Sequence, residues 1–155
     1  MAHPDPQDAE RITTRKLQYC RHADSGQWDS FAQLFLPNTR FQFFEADGET
    51  IHVENSVMFD FHSRDAFVAH FSESMGKLQT IHVVSPGEME AKGPDEVKVV
   101  WPLVYQAASK GDTAGFHATG GGHYYETWRK VDGEWYIAEF KMIRLFWKVI
   151  PLGPL

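Results

Sequence analysis

From residue 79 onward the chain reads almost wholly as strand, in four long stretches near 79–91, 96–108, 115–131 and 134–148. Gly93-Pro94-Asp95, Lys110-Gly111-Asp112 and Asp132-Gly133 separate them, and each is a turn signal. Turns this short join antiparallel neighbours, so the second half of the chain is a long meander. Pro86-Gly87 inside one stretch and Gly120-Gly121-Gly122 inside another mark bends or bulges. A sheet of this kind must cover its apolar face, and the first half of the chain carries the cover.

From Asp8, the residues Ala9, Ile12, Leu17, Cys20 and Ala23 fall on one helical face, and Gly26 is the stop. Trp28, Phe31, Leu34 and Phe35 form one side of a second, short helix that Pro37 ends. Arg40–Phe44 reads as a strand, with Asp47-Gly48 as a hairpin turn into Thr50–Glu54. Ser63 caps a third helix that carries Asp65 in its first turn, stops at Gly76 and buries Phe67, Val68, Phe71 and Met75. The expected fold is α+β, with three helices packed in a strongly curved, mostly antiparallel sheet. The concave side of such a sheet suits a small ligand. Around one domain over residues 8–150, a flexible arm is expected at 1–7 and an apolar tail at 151–155. That tail is expected to fold over the cavity mouth or to pack on a neighbouring subunit.

With 155 residues the chain is long enough for one buried core, and its aromatic share of 14% either fills that core or lines a pocket for flat ligands. The net charge of −6 comes from mixed signs without a basic stripe, which argues against nucleic acid. No stretch has the length and apolarity of a membrane span, and Met1–Pro6 has neither the charged nor the apolar region of a signal peptide. A cytoplasmic protein is the expectation. The single Cys20 excludes an internal disulfide and a thiolate cluster, and the histidines lack metal-ligand spacing. Neither a metal nor a cofactor is expected.

Two residues stand in unusual places. Asp24 extends the apolar face of the first helix at its C-terminal end, where the helix dipole disfavours a carboxylate. It either bonds local backbone or meets a donor from elsewhere in the fold. His82, in Thr80-Ile81-His82-Val83-Val84, shares a strand face with Thr80 and Val84. It is either a packed structural histidine or a proton carrier near neutral pH. Tyr105 and Tyr124 lie on neighbouring strands and offer hydroxyls to a carbonyl. Arg144, among Met142, Ile143, Leu145 and Phe146, either reaches the surface or holds an anionic oxygen.

The segment Tyr19-Cys20-Arg21-His22-Ala23-Asp24, followed by Trp28-Asp29, resembles the opening of the scytalone dehydratase and SnoaL-like branch of the nuclear transport factor 2-like superfamily. Thr80-Ile81-His82 resembles that branch's catalytic histidine segment, and Trp128–Tyr136 its final hairpin. The resemblance implies a cone-shaped fold over about residues 10–148, with His82 as general base and Asp24 holding it. The branch's two tyrosines are replaced by Ala23 and Phe43, and Tyr105 and Tyr124 are the candidate substitutes. The same register points Phe41, Phe43, Leu103, Gly122, Phe140, Met142 and Arg144 toward a cavity. A small apolar or aromatic metabolite and a homodimer or homotrimer are what the resemblance implies. The reading that follows is a cofactor-free dehydratase or isomerase of a ketonic or polycyclic specialised metabolite. Two alternatives stand beside it: a cyclase that works by templating its substrate, and a non-catalytic binding or dimerisation cone.

Overall fold

The computed structural model describes residues 2–111 and 114–153. Helix α1 (Pro6–Asp24) starts two residues before the expected Asp8. The Asp5 carboxylate accepts the Gln7 N–H at 2.9 Å, and Pro6 fits the first helical turn, where its missing N–H costs nothing. The arm before it is correspondingly shorter, and the Ala2 carbonyl accepts the Ala91 N–H at 2.8 Å. The buried face of α1 also differs from expectation. Leu17 is 53% exposed, while Ile12, Lys16, Tyr19, Cys20 and Ala23 face inward. Lys16 holds that stripe because its ammonium pairs with Glu126 inside the fold.

Helix α2 (Trp28–Ala32) is shorter than expected, and strand β1 (Phe35–Phe44) begins before Pro37. Pro37 therefore ends no helix. It lies in the stretch between Phe35 and Arg40 where the register of β1 shifts, a place a strand tolerates a residue without N–H. The Asp47 carboxylate holds the following turn by accepting the Glu49 and Thr50 N–H groups at 2.9 and 2.8 Å. The expected strand at Thr50–Glu54 shrinks to a bridge from Ile51 to Phe44 and the two-residue β2 (Val53–Glu54). β2 pairs with β3 (Val57–Met58), and β4 (Asp60–Phe61) pairs with β1. Helix α3 (Arg64–Met75) is capped by the Ser63 hydroxyl, which accepts the Ala66 N–H at 3.1 Å, and it buries Phe67.

Strands β5 (Leu78–Val84), β6 (Glu88–Gly93), β7 (Glu96–Ser109), β8 (Gly115–Val131) and β9 (Glu134–Leu152) form the meander. The order across the main sheet is β4-β1-β9-β8-β7-β5, and β6 shares β7 with β5. β1 joins β9 in parallel; every other pair is antiparallel. Pro86-Gly87 splits one expected strand into β5 and β6 rather than bending it. A Cβ at Gly87 would stand 2.7 Å from Val99 Cγ1 and 2.8 Å from the Trp101 ring, so only glycine lets the break press onto β7. Asp132 and Gly133, with φ of 50° and 82°, make the tight turn whose twist matches its strands. The expected turn at Lys110-Gly111-Asp112 includes Asp112, which lies outside the described residues. At the tail, Pro151 and Leu152 continue β9 and pair with Phe116 and Gly115, whereas Pro154 and Leu155 lie outside the described residues. Among the described residues no helix is long and apolar enough to cross a membrane.

Glu134 clamps α1 to the β8–β9 turn. It accepts from Arg11 Nε at 3.0 Å and Nη2 at 2.6 Å, and from the Trp135 N–H at 2.9 Å. The Arg11 bond, chiefly, pulls its carboxyl down from the ordinary 4.5 to about 2. The folded chain therefore binds this proton less readily than the unfolded chain. The stabilisation is complete above about pH 4.5 and is lost as pH falls through about 2. Glu134→Gln should melt below the parent at neutral pH, with the gap closing across that window; a gap independent of pH contradicts the assignment.

Candidate active site

Asp24 is the last residue of α1, and β5 runs past it. Three donors from β5 hold its carboxylate: the Thr80 hydroxyl at 3.0 Å, the His82 backbone N–H at 2.9 Å and His82 Nδ1 at 2.6 Å. They offset the cost of placing a carboxylate at the negative end of a helix. A carboxylate only accepts, so Nδ1 carries the hydrogen, and in the neutral imidazole Nε2 keeps the lone pair. An imidazole whose tautomer is fixed by an acid is the arrangement of a general base.

His82, Tyr105, Gly120 and Trp147 are successive cross-strand partners on β5, β7, β8 and β9. The rings of His82 and Tyr105 stack at 5.7 Å, and those of Tyr105 and Trp147 at 5.6 Å. The gap at Gly120 makes this stack possible, because a Cβ there would stand 2.5 Å from Tyr105 Cζ and 2.8 Å from Trp147 Cε3. The three glycines thus serve packing. A Cβ at Gly121 would meet Phe146 at 2.8 Å, and one at Gly122, opposite the bulge that leaves Leu145 of β9 unpaired, would stand 1.9 Å from the Ile143 carbonyl oxygen.

The row borders a cavity of about 610 Å³ between the three helices and the concave face of the sheet. Trp28, Phe43, Phe59, Phe71, Tyr124 and Trp147 supply much of its aromatic wall. Leu103, Met142 and Arg144 line it as expected from their register, together with His82 and Tyr105. Phe41, Phe140 and Gly122 lie outside that lining. Phe41 and Phe140 are cross-strand partners, 0% and 2% exposed, and Phe67 stacks on Phe41 at 3.8 Å. One step along the same faces, Phe43 and Met142 pass the edge of that aromatic seal and reach the cavity. Asp24 sits outside the lining as well, behind His82.

Burial pushes the Tyr124 phenol well above its ordinary range, and its ring lies edge-on to Tyr19 at 5.7 Å. Both rings face the Lys16 ammonium, 3.7 Å from each centroid. Burial also raises the Tyr105 phenol, while the neighbouring Arg144 guanidinium pulls it back down. Tyr105 is thus the tyrosine beside both His82 and a cation, whereas Tyr124 sits in the Lys16 network.

Several lining residues escaped the sequence reading. Tyr19 had a visible signal, standing four residues before Ala23 on the same helical face. Trp147 had none, because the bulge between Gly121 and Gly122 shifts the register that would align it with Tyr105. His52 lies in the irregular segment after β1. Its Nδ1 donates to Glu45 at 2.6 Å, and Arg144 Nη2 lies 3.5 Å from its Nε2.

The SnoaL-like domain family matches residues 6–141. A Gibberella zeae protein named a probable cyclase is 41% identical over 145 residues, covering 94% of this chain and 96% of that one. Among solved structures, a scytalone dehydratase-like protein of Novosphingobium aromaticivorans superposes with a TM-score of 0.73 at 20% identity, covering 96% of this chain and 93% of that one. A hexachlorocyclohexane dehydrochlorinase superposes with a TM-score of 0.75 at 10% identity, covering 93% and 89%. At those identities the two structures speak for the fold alone. The family match and the Gibberella zeae relative carry the assignment: this chain belongs to the SnoaL-like family within the nuclear transport factor 2-like fold.

Proposed function

We propose that this chain is an acid–base enzyme that cyclises, isomerises or dehydrates a small ketonic or polycyclic metabolite without a cofactor. The observation that carries the reading is the 2.6 Å contact of His82 Nδ1 with Asp24, with the His82 ring on the wall of a cavity of about 610 Å³. That volume is in the range that holds a metabolite of a few fused rings. His82 Nε2 takes a proton from the carbon beside a carbonyl, and the Tyr105 hydroxyl donates to the oxygen that becomes negative. As direct cross-strand partners, the two residues serve adjacent atoms of one substrate. Return of the proton to another carbon isomerises the substrate, and its delivery to a β-hydroxyl releases water. Attack of the enolate carbon on a second carbonyl of the same molecule breaks that C=O π bond, and its oxygen takes the proton back from His82, which closes a ring as in a cyclase.

The Gibberella zeae relative, named a probable cyclase, favours the ring-forming outcome. A cavity that only templates such a closure needs no base, and solvent hydrogen then stays out of the product. The test is 2-tetralone in heavy water, with deuterium at its carbon next to the carbonyl followed by NMR. The protein should speed this exchange well beyond the same concentration of free imidazole. Probe that binds, seen by its shifted resonances, but exchanges no faster would overturn the acid–base reading and leave the template.

A further inference from the structure

Arg144 is a cation on the cavity wall. Among the described residues it forms no ion pair, although it lines a largely aromatic cavity. Its guanidinium lies over the Trp147 ring at 5.2 Å, with Nη2 3.2 and 3.5 Å from the two ring nitrogens of His52. His52 is in turn held by Glu45, so the near carboxylate is engaged by an imidazole rather than by the arginine. The Tyr105 hydroxyl is a further neighbour of the guanidinium. The remaining fully charged groups of the lining are Glu54 and Lys77. Among the described residues neither of them forms an ion pair with Arg144.

Arg144 is partly buried, and its guanidinium on this wall offers an anion charge-assisted hydrogen bonds that no carboxylate among the described residues takes up. From these contacts we infer that the natural ligand carries a carboxylate or an equally acidic enol, and that Arg144 binds it with Tyr105 alongside. A planar guanidinium is built to form two parallel bonds to a carboxylate. The ligand class is therefore an acidic polycyclic metabolite, with its anionic group at the Trp147 end of the cavity and its apolar body against Phe43, Phe59 and Phe71.

The inference rests on the cavity being the substrate site, but its test needs no turnover. Binding of 2-naphthoate and of neutral 2-naphthamide is measured by calorimetry on the intact chain. The naphthoate should bind roughly 10- to 100-fold more tightly. Arg144→Gln should erase that preference, and Arg144→Lys should keep part of it. Equal binding of the two probes by the parent protein, no naphthoate binding at millimolar concentration, or a preference that survives in Arg144→Gln overturns the inference. A carboxylate preference without 2-tetralone exchange would sink only the acid–base reading.

Discussion

Replacing His82 with Asn should slow the α-deuteration of 2-tetralone by about 10²- to 10⁴-fold, the usual worth of a positioned base. The ring lies on β5 with its side chain only 16% exposed, and Asn still offers a polar group to Asp24, so melting should change little beside the loss of rate. Asp24→Asn should slow the exchange as well, since a neutral amide no longer stabilises the imidazolium formed on proton transfer. The pair separates chemistry from structure: Asp24 also holds the His82 N–H and the Thr80 hydroxyl, so its variant should lose stability too. An unchanged rate in His82→Asn would place the base elsewhere.

The largest effect on stability is expected at Lys16. Its side chain is 0% exposed and ion-paired with Glu126, whose other oxygen accepts the indole N–H groups of Trp101 and Trp128, both at 2.9 Å. Burial pulls the ammonium's pKa down and Glu126 pushes it back up, so the pair stands only as long as both members are present. Lys16→Met leaves Glu126 buried without its cation, at a cost of about 3–5 kcal/mol. For a domain of this size that lowers the melting temperature by roughly 6–20 °C. Adding Glu126→Gln removes the stranded charge while keeping an oxygen for an indole, and should recover much of the loss. A Lys16→Met chain that melts like the parent would show that the pair contributes nothing net.

Lys16 also shows where sequence reasoning stops. The stripe Ile12, Lys16, Tyr19, Ala23 has helical spacing, but a lysine is ordinarily counted with the solvent face, and Leu17 took its place in the reading. What buries the lysine is Glu126, 110 residues away, and no local pattern carries that pairing. Elements governed by local rules were legible: the Ser63 cap, the Asp132-Gly133 turn and the order of helices before meander. Boundaries set by partners were not, as at Pro37, where the register of β1 against β9 overrides the helix-ending habit of proline. In the site, Asp24 and His82 were legible because each broke its own local pattern. The cavity edge was not, since Phe41 and Phe43 carry the same side chain on the same face. Only the seat of Phe67 on α3 decides that one is sealed and the other open.

The central claim is that Asp24 fixes His82 with its proton on Nδ1 and its lone pair on Nε2. ¹⁵N-edited NMR of a chain labelled in its histidine rings reads this directly, with His82→Asn to identify the signal. The predicted result, read on the neutral form of the ring, is a pyrrole-type Nδ1 and a pyridine-type Nε2, the latter shifting when 2-tetralone enters the cavity. A ring with its proton on Nε2, or an Nε2 resonance indifferent to bound ligand, would contradict the account.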